Sequence, residues 1–149
     1  MRKLFVLFFV FISVSLHADL KWDLPEGWVD TGKKSSMRLA TLGVKDKKDV
    51  EISVTRFPGD VGGELANVNR WRRQMGLAPV KAEDLQKEFE VIESKVGKAK
   101  LVDLSSGDKQ MIAVMLPYKE NTYFFKMMGS KERIGAQKDN LVKLIKSLN

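Results

Sequence analysis

Apolar and polar positions alternate most cleanly at Val50-Glu51-Ile52-Ser53-Val54-Thr55, the pattern of a strand buried on one side. Met37 to Val44 reads as the strand before it, with Met37, Leu39 and Thr41 on one face and the charged stretch 43–49 as the hairpin connection. Phe89 to Ile92 and Ala99 to Leu104 predict two further strands. Met111 to Leu116 and Thr122 to Met128 are apolar on both sides, which places them inside a sheet covered on both faces. Turn-forming clusters at 105–108 and 117–121 join these strands as hairpins, so the sheet is expected to be mainly antiparallel.

Elsewhere the period changes to that of a helix. Leu65, Val68, Trp71 and Met75 form one stripe of a helix predicted over 64–75 and ended by Gly76. A short helical pattern follows at 82–87. A C-terminal helix is predicted after Gly129, with Ser130 as its N-cap. Ile134, Leu141, Leu144, Ile145 and Leu148 face one way, and Lys131, Asp139, Lys143 and Lys146 the other. Gln137 falls inside the apolar stripe, where a buried amide needs a partner; a nearby backbone group is expected. Trp22 and Trp28, around a Pro25-Gly27 turn, are read as packing residues. The expected fold class is α+β: one domain over 19–149, with a mainly antiparallel sheet of about six to seven strands between helices on both faces.

Residues 1–18 read as a signal peptide. Met1-Arg2-Lys3 precedes the apolar run Leu4 to Ile12, and small residues lead to Ala18. The run is shorter than the roughly 20 residues of a membrane span, so an exported protein without a transmembrane span after cleavage is expected, in the periplasm or outside the cell. Loss of Arg2 and Lys3 lowers the formal charge from +7 to +5. The remaining charge is spread along the chain, and export removes nucleic acid as a partner.

The chain has no cysteine, and its one histidine, His17, lies in the predicted signal. The remaining domain therefore excludes cysteine nucleophiles, Ser-His-Asp triads, disulfides, and zinc sites built on His or Cys. Asp46, Asp49 and Glu51 lack the spacing and glycine of a calcium loop. No catalytic residue, metal ligand or cofactor is assigned.

Segment 58–79 stands apart. Its glycine loop enters a helix with Asn67, Asn69, Arg70, Trp71, Arg72 and Arg73 close together. On the helical wheel Asn69, Arg70 and Arg73 point outward. Arg72 lies on the apolar side and must reach the rim or pair with a carboxylate. Gly62 and Gly63 before a helix offer backbone amides to an anion, although neither the phosphate-loop nor the dinucleotide spacing is present. The candidate partner-binding residues are Gly62, Gly63, Asn69, Arg70 and Arg73. A structural loop with a solvated basic face is the plainer alternative.

Gly-Gly-Glu-Leu-Ala-Asn-Val-Asn-Arg-Trp-Arg-Arg-Gln-Met-Gly-Leu-Ala-Pro (62–79) resembles the GGxLANVNRWRxQLGLxP stretch of a family of exported, largely uncharacterised bacterial proteins, often lipoproteins. Trp22 to Trp28, Phe57 to Asp60, Leu101 to Leu104 and Tyr123 to Lys126 extend the resemblance over most of the chain. The lipid-bearing cysteine of such lipoproteins is absent. The order of elements is also similar to the PsbP-like fold, an α/β/α sandwich. That fold serves an extrinsic photosystem subunit and a Ran-binding protein, which implies a binding or accessory module. The expected function is thus non-enzymatic recognition of an envelope protein, or of an anionic polymer or lipid surface, near 58–79. A carboxylate-based hydrolase or transferase with a cleft beside the 58–63 loop is the alternative.

Overall fold

One strand organises the molecule. Along β6 (Lys109–Tyr118), successive side chains join two separate apolar clusters. Met111, Ala113 and Met115 gather with Val68, Trp71 and Met75 of α1 (Gly63–Gln74). Ile112, Val114 and Leu116 gather with Leu141, Leu144 and Ile145 of α3 (Lys138–Ser147). Strand side chains alternate between faces, so these two sets point to opposite sides of β6.

The computed structural model describes residues 19–149, and the expected signal peptide at 1–18 lies outside them. Among the described residues, one seven-stranded antiparallel sheet runs in the order β1-β2-β3-β7-β6-β5-β4. Its strands are β1 (Trp28–Asp30), β2 (Arg38–Val44), β3 (Lys47–Pro58), β4 (Glu90–Ser94), β5 (Gly97–Ser106), β6 and β7 (Asn121–Ser130). The chain leaves β3, passes through α1 and a 3₁₀ helix (Ala82–Glu88), enters the far edge at β4, and returns by hairpins until β7 pairs with β3. No described helix is long and apolar enough to cross a membrane.

Two local expectations change. The C-terminal helix is two: α2 (Lys131–Gly135) and α3, separated at Ala136 and Gln137. Ser130 sits at the first N-cap position with extended backbone but makes no side-chain capping bond. Gln137 is buried as expected, yet its partners are side chains: Oε1 accepts from the Trp28 indole at 2.8 Å and from Asn140 Nδ2 at 3.3 Å. A long-range pair thus replaces the expected backbone bond, and joins β1 to the start of α3. Trp22 packs edge-on against Phe125, with ring centres 6.1 Å apart.

Candidate functional site

The loop that feeds α1 is held in an uncommon conformation. Val61, Gly62 and Gly63 have φ of 53°, 84° and 83°. Left-handed backbone suits glycine but strains a β-branched residue such as valine, and strain of this kind clusters at functional sites. Several bonds fix the loop. Gly59 N donates to Glu120 O at 2.9 Å, and Thr122 Oγ1 donates to Gly59 O at 2.5 Å. Buried Asn67 donates from Nδ2 to Val61 O at 3.2 Å and to Gly63 O at 2.7 Å.

The two glycine amides already have partners. Gly62 N donates to Asp60 Oδ1 at 3.3 Å, and Gly63 N to Asp60 O at 3.2 Å. An added Cβ at Gly63 would meet no atom within 4 Å, so backbone conformation, not crowding, requires glycine there.

Along α1 the polar residues divide into internal and outward sets. Asn69 takes the N–H of Val80 on Oδ1 at 2.8 Å and donates Nδ2 to Val80 O at 3.0 Å. It therefore latches the segment after the helix. Arg72 donates Nε to Ala78 O at 2.6 Å and Nη1 to Glu88 Oε2 at 2.9 Å, the carboxylate pairing expected of it. Arg70 and Arg73 are exposed and have no ion-pair partner among the described residues. Arg70 donates to the Asn67 amide oxygen. Trp71 is 3% exposed and meets Phe124 edge-on, with ring centres 5.9 Å apart.

Two concavities flank this helix. A cleft of about 640 Å³ opens by the 58–63 loop, where Gly63, Asp60, Glu64 and Glu120 meet Lys98, Lys100 and Lys119 over Met115 and Pro117. Glu64 is paired there with Lys100 at 2.6 Å. The second cleft, of about 360 Å³, lies where α1 meets β2, β3 and β7; Arg38, Arg70 and Lys126 enter it from three elements. Lys126 is half-buried, and burial, then the charges of Arg70 and Arg38, push its ammonium below its ordinary pKa. Arg38, Lys126, Ser53 and Thr55 were invisible as a group in the sequence, because only β2–β3 and β3–β7 pairing together bring them side by side.

Other chemistry is sparse. Ser106 and Lys109 have Ser-x-x-Lys spacing, but they face each other across the β5–β6 hairpin instead of sharing a helix. Among the described residues, no three His, Cys, Asp or Glu side chains are grouped to hold a metal.

No protein-family model matches the chain, and no curated protein matches it in sequence. Among solved structures it is similar to the solution structure of cyanobacterial PsbP (CyanoP) from Synechocystis sp. PCC 6803. That likeness has a TM-score of 0.49 and 13% identity, covering 87% of this chain and 91% of that one. LpqN of Mycobacterium tuberculosis, described as involved in cell envelope biogenesis, is similar with TM-score 0.49 and 12% identity, over 89% of this chain and 86% of that one. A protein from Bacteroides thetaiotaomicron VPI-5482 has TM-score 0.47 and 8% identity; the match covers 87% of this chain but 44% of the other.

Proposed function

We propose that this protein is an exported, non-enzymatic accessory domain that binds an anionic partner in the cell envelope through the outer face of α1. The partner is an envelope protein or an anionic polymer or lipid surface. The observation that supports this reading is the division among the α1 arginines. Arg72 is consumed internally by Glu88 and Ala78, whereas Arg70 and Arg73 stand exposed without a carboxylate. Arginine presented in this way suits bidentate contact with carboxylate or phosphate. The architecture is read as a PsbP-like sandwich with helices on both sheet faces, which the alternation along β6 supports.

Arg70→Glu combined with Arg73→Glu tests the reading. The expected result is an unchanged melting temperature together with loss of partner capture from an envelope extract, and capture by the unmutated protein that weakens with added salt. Capture that survives both charge reversals would falsify it.

A second reading, a carboxylate-based hydrolase or transferase, is favoured by the larger cleft with Asp60, Glu64 and Glu120 around it. Weighing against it, Glu64 is committed to Lys100 and the Asp60 carboxylate to the loop amide of Gly62.

A further inference from the structure

The smaller cleft has a construction that the α1 surface alone does not explain. Ser53, Thr55 and Phe57 alternate along β3 and share one face, with Lys126 and Phe124 paired to the first two on β7. Regular alternation along β2 would put Arg38 on the same face as Ala40, which belongs to the opposite, α3-side cluster. A register shift between Arg38 and Ala40 breaks that alternation: Arg38 pairs with Thr55 and Ala40 with Val54. The irregularity puts Arg38 on the cleft face, and it lines the cleft together with Lys126 of β7 and Arg70 of α1. Bulges that re-aim a side chain in this way are over-represented beside functional sites.

The charge there is unbalanced. Glu51 is the neighbouring carboxylate; its oxygens take Arg38 Nη1 and Lys33 Nζ, each at 3.3 Å. Lys126 donates to the neutral Gln74 amide at 3.3 Å, and Arg70 to the neutral Asn67 amide. Phe57, Trp71 and Phe124 supply an apolar wall, and Ser53 and Thr55 supply hydroxyls. Three like charges drawn together against their own repulsion are the arrangement expected where a multiply charged anion completes the site.

We propose that this cleft binds a phosphate monoester, with the dianionic phosphate between Arg38, Arg70 and Lys126 and an apolar substituent against Phe57 and Phe124. A volume of about 360 Å³ lies at the small end of ligand pockets, which run from roughly 300 to 1,000 Å³. A dianion is preferred over a single carboxylate because the cations arrive from three directions. The proposal rests on the binding reading above and gives its anion a chemical class.

Calorimetric titration with phenyl phosphate and with inorganic phosphate, at low salt, is the test. Phenyl phosphate is expected to bind at millimolar concentration or below, and more tightly than inorganic phosphate. Arg38→Gln and Lys126→Met should each weaken it at least about tenfold, as loss of a charge-assisted hydrogen bond does, while Lys146→Gln, on exposed α3 surface outside the cleft, leaves it unchanged. Circular dichroism verifies that each variant is folded; Arg38 and Lys126 lie on different strands, so either variant suffices if the other fails to fold. Vesicles containing phosphatidic acid separate the sources. Sedimentation with them, lost in the same variants, identifies a lipid headgroup; phenyl phosphate binding without it identifies a free ester. No heat with phenyl phosphate, or affinity that survives both substitutions, overturns the proposal. The broader binding reading fails on a different measurement, partner capture by the Arg70→Glu, Arg73→Glu protein.

Discussion

Trp71 fastens α1 to the sheet. Its indole is 3% exposed and lies edge-on to Phe124, which is itself edge-on to Phe57 with ring centres 6.0 Å apart. Truncation would leave a cavity between helix and sheet, so Trp71→Ala is expected to lower stability by about 3–5 kcal/mol in urea denaturation. A loss below about 1 kcal/mol would show that the site relaxes around the gap. The packing role of this residue was legible in its spacing with Val68 and Met75. Arg72 was legible too, because an arginine on an apolar stripe must find a partner, and Glu88 supplies it. Asn69 was not. Its outward place on the wheel suggested contact with a partner, but the chain after Gly76 folds back and spends both ends of the amide on Val80.

At the scale of the element, α1 is delimited by backbone geometry at both ends. Gly62 and Gly63 open it with positive φ. At the other end Gly76, with φ of 71°, donates its N–H to Arg73 O, and Leu77 donates to Arg72 O at 2.8 Å. That pair of bonds is the Schellman ending, and it explains why the predicted stop at Gly76 agrees with the structure. The Asn69 latch then holds the following segment against the helix. Asn69→Ala removes a donor and an acceptor from half-buried Val80, and should cost about 1–3 kcal/mol. Faster hydrogen exchange at the Val80 amide would accompany it. A variant as stable as the parent, with Val80 exchange unchanged, would remove the latch from this account. The division between α2 and α3 escaped the periodicity because Ile134 and Leu141 keep the stripe in phase across the break, where Gln137 accepts the Trp28 indole N–H.

For the whole molecule, the sheet is joined to the C-terminal helix by charge as well as by apolar burial. Lys138 at the start of α3 reaches Glu90 at 3.1 Å and Asp103 at 3.2 Å, on β4 and β5. Burial opposes its charge, but hydrogen bonds to Glu90 and Asp103 outweigh burial and hold its pKa above the usual 10.5. A lysine raised in the folded state stabilises fully below its unfolded pKa, near 10.4, and the contribution is lost as pH rises through the folded value. Lys126 has the opposite sign: its lowered pKa penalises the folded state until pH passes that value, after which stability recovers. Melting temperatures across the alkaline range should therefore show the difference between the parent protein and Lys138→Met shrinking above about pH 10.5. A difference that stays constant through that range would exclude the linkage.

Sheet geometry also determines where a cleft can form on the α1 side. Seven strands about 4.8 Å apart span roughly 29 Å, while a helix is only about 10 Å across. The fully buried apolar residues that pack with α1 and the 3₁₀ helix fall on β5, β6 and β7, with half-buried Phe57 of β3 at their margin, and the ledge beside them carries the polar residues of β2 and β3.

By itself, the sequence determined what depends on near neighbours. Periodicities of two and of about 3.6 residues marked strands β2 to β7 and helix α1, and the lack of cysteine, and of any histidine but His17, narrowed the chemistry. It also singled out Arg70 and Arg73, since their outward position follows from helical spacing alone. Only the tertiary structure decided what depends on pairing across long separations. The three-residue strand β1 is too short to leave a pattern and exists through its pairing with β2. The register shift that turns Arg38 over, and the β3–β7 pairing that sets Lys126 beside Ser53, have no local signal. Hydrogen-bond register is chosen by the whole sheet, so the convergence of Arg38, Arg70 and Lys126 appears only once that sheet is assembled and α1 packs against it.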